Sequence, residues 1–223
     1  MMSVERLIPD ILFGFTGLIS IINPIGMAFV FLERTESLNE GERAQLAKRL
    51  AINVFFTLLV IFFIGAPVLN FFGISMEALR LGGGFAVAMA GWSMLNAPDV
   101  PATEGTVRGG DLQKLMARAF FPLTVPLTIG PGSIAAGIAL HANRQKGAVD
   151  FLMSGLISLA VAFLVAFAIW QIYSRATTLA RYLGAEGTKV AMRVSAFLLL
   201  CVGVQIMLTG VSEFVRATRA VTG

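Results

Sequence analysis

Charged residues divide the chain into long uncharged windows. Twenty-two uncharged residues separate Asp10 from Glu33, 27 separate Arg49 from Glu77, and 18 separate Arg80 from Asp99. Another 22 lie between Arg118 and His141, 24 between Asp150 and Arg175, and 19 between Arg193 and Glu213. A helix needs about 20 apolar residues to cross about 30 Å of hydrocarbon, so the six windows predict six transmembrane helices. Within them apolar residues run on without alternation, which argues against a β-barrel. The first window is longer than the roughly 7–15 apolar residues of a secretory signal and is expected to stay as a membrane helix.

Composition agrees with this pattern. Of 223 residues, 57% are hydrophobic and 13% charged, with a mean hydropathy of +0.81. A soluble domain carries about a quarter charged residues, and a disordered chain is less apolar and more charged; both classes are excluded. One cysteine, Cys201, leaves no disulfide framework. One histidine, His141, counts against a histidine-based metal site. The net charge of +4 comes from dispersed basic residues, so no nucleic-acid partner is expected. Ten of the basic residues fall in the loops after helices one, three and five, against six in the termini and the other loops. The positive-inside rule then puts the odd loops in the cytoplasm and both termini outside. Trp92, Trp170 and Tyr173 are expected in an aromatic belt at the inner ends of helices three and five.

The two halves of the chain echo one another. The first window contains Ile22-Asn23-Pro24-Ile25-Gly26 and the fourth contains Ile129-Gly130-Pro131-Gly132-Ser133, with the prolines 107 residues apart. Ala78-Leu79-Arg80 and Met94-Leu95 recur as Ala191-Met192-Arg193 and Met207-Leu208 at a spacing of 113. The expected fold is therefore an all-α membrane protein of two three-helix repeats, residues 1–100 and 119–223, joined by a cytoplasmic linker over 101–118. Three is an odd number, so the second repeat enters from the opposite side and the topology is inverted. Helices one and four are broken at mid-span. Paired interruptions of this kind mark the midplane binding site of secondary transporters.

Proline removes an N–H and clashes with a carbonyl one turn back, and glycine opens backbone angles closed to other residues. In lipid the freed groups are tolerated only where protein or a wet cavity surrounds them. A half-helix starting after each break presents N–H groups and the positive end of its dipole. Two such ends near the midplane could hold a carboxylate. Asn23 adds an amide; Thr124, Thr128 and Ser133 add hydroxyls around the second break, and Ser20 lies on roughly the same face as Asn23. The plainer alternative is that each break is a kink and that Asn23 repairs freed backbone groups. Among other polar residues in the spans (Asn53, Thr57, Ser93, Ser154, Ser158 and Gln205), Gln205 stands out, because a buried amide needs several partners.

Other features read as structural. Gly82, Ala86 and Ala90 on helix three, with Gly84 and Ala88 beside them, form small-residue faces for close packing, as do Ser154, Ser158, Ala162 and Ala166 on helix five. Ser37-Leu38-Asn39-Glu40 resembles a capping box that starts helix two early, with an extension carrying Glu42, Arg43, Lys48 and Arg49. Asn96 to Gly110 reads as a flexible linker, and Asp111 as the cap of a short interfacial turn bearing Lys114 and Arg118.

Three strings resemble the MarC family of bacterial inner-membrane proteins: Asn-Pro-Ile-Gly from Asn23, Arg-Leu-Gly-Gly-Gly-Phe from Arg80, and Pro-Leu-Thr-Val-Pro-Leu-Thr-Ile-Gly-Pro-Gly-Ser ending at Ser133. The resemblance spans nearly the whole chain, and the third string is its most specific part. It implies a six-helix inner-membrane protein and, for some members, cation-coupled transport of small neutral amino acids such as glycine and alanine. It also implies a substrate site at Asn23, Pro24 and Gly26 and at Gly130, Pro131 and Gly132. No mid-span carboxylate stands ready as a proton relay, whereas sodium held by backbone carbonyls would need none; Na+ and H+ both stay open as coupling ions, and no other cofactor is expected. The expected partners are a small-molecule substrate and membrane lipid. A channel or an exporter of another small polar solute would use the same broken helices. A membrane-embedded enzyme lacks support, because no H-E-x-x-H or G-x-S-x-G string occurs.

Overall fold

At every fourth position along one stretch of the chain stand Leu46, Leu50, Val54, Leu58 and Phe62, and along another Ile157, Val161, Val165, Ile169 and Tyr173; all ten are essentially inaccessible. Residues four apart lie in one row on a helix, so each stretch is a helix with a continuous apolar ridge. The two helices carrying these ridges pack on each other and form the centre of the core.

The structure is a computed structural model, and it describes residues 7–35, 37–96, 112–142 and 148–222. In chain order these form α1 (Leu7–Ile22), α2 (Pro24–Arg34), α3 (Glu40–Phe71), α4 (Met76–Leu95), α5 (Leu112–Ala117), a π-helical segment (Ala119–Thr128), α6 (Pro131–Ala142), α7 (Ala148–Ser174) and α8 (Ala176–Thr222). The described residues contain no strand. Five stretches are long and apolar enough to cross a bilayer: Leu7–Leu32, Glu40–Phe71, Met76–Leu95, Leu152–Ser174 and Glu186–Arg219. The fourth predicted window is not among them, because it is divided into the π-helical segment of 10 residues and α6 of 12. Large apolar side chains point outward along the spans, among them Phe56, Val60 and Phe63 on α3 and Leu156, Phe163 and Phe167 on α7. So much exposed apolar surface suits lipid and not water.

Local signals set the helix ends. Asn39 caps α3: its side chain accepts from Glu42 N–H, while the Glu42 carboxylate accepts from Asn39 N–H. The capping box is thus Asn39–Glu42, two residues later than the Ser37–Glu40 pattern expected, because the box needs the carboxylate at the third helical position. At the other end of α3, Gly73 has φ 66°, and the bonds Gly73 N–H to Asn70 O and Ile74 N–H to Leu69 O close a Schellman turn. Ser75 then caps α4 through Ala78 N–H. Within α8, Gly184 (φ 67°, ψ 178°) separates a short first arm from the span. The turn expected near Lys114 and Arg118 is helix α5, whereas the linker residues 97–110 and Asp111 lie outside the described residues.

The α4–α8 contact is the most extensive between two elements, and it is made through glycine. A Cβ on Gly84 would come 2.7 Å from the Gly203 carbonyl oxygen, and one on Gly91 would come 2.5 Å from Leu200 N. The stripe in contact is therefore the expected Gly84 and Ala88, extended by Gly91, and not the Gly82–Ala86–Ala90 row; Gly82 has open space around it. On α7 the expected small face of Ser154, Ser158, Ala162 and Ala166 is buried. Gly14 of α1 rests on Val161, next to that face, at 3.0 Å from where its own Cβ would stand.

Two residues expected at the periphery are inside. Tyr173 is fully buried, with its ring stacked on Phe31 at 4.8 Å; it belongs to the α7 ridge, not to a belt. Trp92 and Trp170 are exposed, as a belt requires. Arg43 is 6% exposed. Its Nε donates to Thr35 Oγ1 (3.0 Å), its Nη1 to Thr177 Oγ1 (2.7 Å), and its Nη2 to the carbonyls of Thr35 (2.8 Å) and Leu38 (2.9 Å). It therefore binds the chain leaving α2 to the start of α8, and its charge sits by the negative end of the α2 dipole.

Two outcomes follow. Gly203→Val is expected to destabilise the protein by about 1–3 kcal/mol through overpacking, whereas Gly82→Val leaves it unchanged; thermal unfolding in detergent separates them. Arg43→Gln forfeits charge-assisted hydrogen bonds worth roughly 1.5–3 kcal/mol each before compensation, and its melting temperature should fall at least as far as that of Gly203→Val.

Candidate functional site

The first break is built around one residue. Asn23 lies between α1 and α2 with φ 48°, a left-handed conformation that asparagine tolerates better than most residues. Its N–H still donates to Ile19 O (2.9 Å) and its carbonyl accepts from Met27 N–H (3.0 Å), so the backbone ladder resumes on each side. The side-chain Oδ1 accepts from Gly26 N–H (3.3 Å), and Nδ2 donates to the Ser195 carbonyl of α8 (3.2 Å). Asn23 is thus the N-cap of α2 and Pro24 its first residue, where a missing N–H costs nothing. Gly26 is required by proximity: a Cβ there would stand 2.7 Å from Asn23 Nδ2 and 2.9 Å from Ser195 Cβ.

The second break repeats this logic with different parts. In Ala119–Thr128 the residues before the two prolines, Phe121 and Val125, are extended (φ −125°, ψ 126° and φ −120°, ψ 125°). A residue preceding proline is pushed out of the α region. The helix is widened in consequence, and threonine hydroxyls close the gaps: Thr124 Oγ1 donates to Ala119 O (2.7 Å) and Thr128 Oγ1 to Leu123 O (2.9 Å). Ile129 N–H reaches back to Thr124 O at 2.8 Å. With its proton so engaged, the Thr128 oxygen accepts from the Tyr173 hydroxyl at 3.3 Å. Gly130 then stands before Pro131 as Asn23 stands before Pro24, and its carbonyl accepts from Ile134 N–H (3.2 Å). Glycine has no side chain with which to cap the N–H groups of Gly132 and Ser133. Here α4 closes in: a Cβ on Gly132 would collide with Val87 and stand 3.2 Å from Gly83 O.

The expected site residues divide accordingly. Pro24, Gly26, Thr124, Thr128, Gly132 and Ser133 are buried, Asn23 and Gly130 half-buried, and Pro131 exposed. The first break meets Ser195 on α8, and the second meets α4 and Tyr173. Alongside one another, α1 packs on α6 and α2 on the π-helical segment. Ser20 and Gln205 are not drawn in. Ser20 is exposed, its hydroxyl donating to Thr16 O (2.7 Å), and Gln205 is exposed on α8 rather than buried. Ser158 pairs with His141 Nδ1 at 3.0 Å, and the side-chain nitrogen of Asn53 is buried without a partner. Among the described residues no group of three His, Cys, Asp or Glu could hold a metal ion.

Beside the breaks lies a feature that the sequence reading missed. A cleft of about 300 Å³ runs between α1 and α6, with α4 and α8 closing one end. Its wall is apolar, with small residues (Gly14 and Gly17 on α1, Ala135 and Ala139 on α6) set among larger ones such as Phe13 and Leu140. Ile21, two residues before Asn23, and Ala135, one turn beyond Pro131, put its inner end next to both breaks. Arg80 and Thr209 line the opposite end, and Arg80 is ion-paired with Glu213. The sequence signal was faint: Arg80 ends one charge-free window and Glu213 another, 133 residues on.

Comparison with known proteins fits this architecture. A family model described as MarC family integral membrane protein matches residues 8–215. The chain belongs to the MarC family. It is 30% identical over 208 residues to an Escherichia coli protein named UPF0056 inner membrane protein MarC, covering 91% of this chain and 94% of that one. Proteins of the same name from Citrobacter koseri and Salmonella typhimurium are 31% identical over 213 residues, with the same coverage. No solved structure matches the chain. In this MarC family member, then, the helix-four string resolves into a doubled Pro-Leu-Thr unit that widens the helix, followed by the Gly-Pro start of α6.

Asn23→Ala removes both the cap and the tolerance for a left-handed backbone, whereas Asn23→Gly removes only the cap. Alanine should therefore be the less stable of the two by about 1–2 kcal/mol, measured as a difference in thermal unfolding between the two purified variants.

Proposed function

We propose that this protein is a secondary transporter moving small neutral amino acids, glycine and alanine, across the bacterial inner membrane by alternating access, with Na+ or H+ as the coupling ion. The observation that carries the reading is the pair of proline-started half-helices, α2 and α6, set on two interrupted segments that lie side by side. Each presents a helix N-terminus near mid-span, where a carboxylate is favoured, and irregular backbone in a membrane is tolerated where it lines such a site.

The reading includes six crossings in two inverted repeats, the fourth crossing being the π-helical segment and α6 in series. The packing supports this crosswise. As α1 packs on α7, the π-helical segment packs on α3; as α2 packs on α8, α6 packs on α4; and α3 pairs with α7 as α4 pairs with α8. A twofold exchange of the halves swaps the members of the first two pairs of contacts and maps α3–α7 and α4–α8 each onto itself. Arg193 Nη1 donates to Leu95 O at the end of α4 (2.6 Å), while Arg80, its counterpart in the repeat, pairs with Glu213 near the end of α8. Six crossings put both termini on one side, which the loop charges make the periplasmic one. The amino-acid substrate follows from the family resemblance, and the apolar cleft of about 300 Å³ beside the breaks suits a short side chain.

Uptake of labelled glycine and alanine into proteoliposomes, with and without sodium or proton gradients, tests the reading. Saturable uptake with counterflow is expected, and a tenfold or greater loss, about 1.4 kcal/mol or more, in Asn23→Gly and Ser133→Ala. Uptake without saturation or counterflow would mean a channel, and no uptake under any gradient would remove the substrate assignment.

A further inference from the structure

The Arg80–Glu213 pair joins the first turns of α4 to the far part of α8, with side-chain exposures of 13% and 36%. It stands at the end of the cleft that reaches toward both breaks. Two further facts give this end of the cleft opposite chemical faces. Arg80 pairs with Glu213 through Nη1, and a guanidinium carries five donors in a planar fork that fits a carboxylate, more than one carboxylate oxygen can use. Thr209, on the cleft wall, lies one helical turn before Glu213 and spends its proton on Gln205 O at 2.9 Å. Its oxygen is left as an acceptor on the same face of α8 as the Glu213 carboxylate. At this end of the cleft a positive donor group, Arg80, thus faces acceptors on α8, Thr209 in the wall and Glu213 as the ion-pair partner of Arg80, and the remaining wall is apolar, part glycine and alanine and part larger side chains such as Phe13, Leu140 and Ile206.

We propose that this end of the cleft is an outer binding site for a small zwitterion, an α-amino acid, whose carboxylate takes the Arg80 fork and whose ammonium group takes Glu213 and Thr209. The proposal rests on the transport reading for the solute's onward passage to the breaks, but the site lies apart from them. Charge accounts for the class of ligand. Removing one partner from a half-buried ion pair leaves the other uncompensated, a strongly unfavourable change. A ligand with a carboxylate alone would free Arg80 from Glu213 and leave two negative groups facing each other; an amine alone would strand Arg80. A zwitterion replaces both partners at once and brings no net charge out of water. Its arrival converts a direct α4–α8 contact into one bridged by the solute, so occupancy is felt where the two halves meet.

The test reads binding without transport. In a Cys201→Ala background, Ala139→Cys puts a single thiol on the cleft wall, and its labelling by a water-soluble maleimide is followed in purified protein with increasing alanine, propionate or ethylamine. Alanine should slow labelling saturably, and neither half-ligand should do so at the same concentrations. Arg80→Gln and Glu213→Gln should each raise the half-protecting alanine concentration about thirtyfold or more, as expected when one partner of a hydrogen-bonded charge pair is lost. Arg80→Lys, which keeps the charge without the fork, should fall between and serves if Arg80→Gln is not monodisperse. A thiol that never labels, labelling indifferent to alanine, protection by propionate equal to that by alanine, or protection unchanged in both charge variants would overturn the proposal. Protection without proteoliposome uptake would leave this site standing and remove the transport reading; uptake without protection would do the reverse.

Discussion

The structure depends on how unpaired backbone groups are satisfied where two helices are cut by proline inside an apolar chain. In hydrocarbon an orphan N–H or carbonyl costs several kcal/mol, so each cut must be answered locally. At the first, one asparagine does it: Asn23 bends the chain, caps α2 and binds a carbonyl of α8. At the second, the work is shared by Thr124 and Thr128, which close the widened helix, and by Tyr173, which reaches from α7. Much of the surrounding architecture follows. Gly26 must be bare because Ser195 has come close to supply its carbonyl, and Gly132 must be bare because α4 lies over the start of α6.

Away from the breaks Arg43 obeys the same rule, whereas Asn53 Nδ2 and Ser174 Oγ are buried with no partner among the described residues. Arg43 has no carboxylate within ion-pair distance among the described residues, yet all three of its guanidinium nitrogens find oxygen acceptors on neutral groups. Its counter-charge is diffuse, the carbonyl end of α2. Serine and threonine supply the hydroxyls at most of these places, because they can return a proton to a nearby carbonyl while leaving an oxygen to accept another.

Sequence pattern reveals some of this and hides the rest for definite reasons. Charge spacing gave six windows, five of which coincide with helices long and apolar enough to cross a bilayer, because the energy of burying charge in lipid is large and acts residue by residue. It treated the fourth window as one helix, because counting charges is blind to φ and ψ, while Pro122 and Pro126 act on Phe121 and Val125 through backbone sterics alone. Helical periodicity found the Ser154–Ala166 face and the Gly84–Ala88 stripe on α4, but could not rank that stripe above the Gly82–Ala86–Ala90 row. Gly82 and Gly84 are alike in sequence, and only the position of α8 distinguishes them. Arg43 was assigned to a solvated extension because its partners lie 8 and 134 residues away. The cleft was invisible for the same reason, being assembled from four helices with no local signature.

The two seams between the halves are mechanically unlike. Along α3 and α7, which pack on each other, branched and aromatic side chains stand in buried rows of four-residue spacing. Such a seam can be displaced only by lifting a whole ridge over its neighbour, a step of about one helical turn, 5.4 Å. Along α4 and α8, glycine meets backbone over much of the contact, and the side chains that tie the seam, Arg80 to Glu213 and Arg193 to Leu95 O, stand toward its ends. The molecule therefore joins a toothed contact to a smooth one. Any rocking of one half against the other has its pivot written into the composition of the two seams: fixed where the side chains are large, free where they are missing.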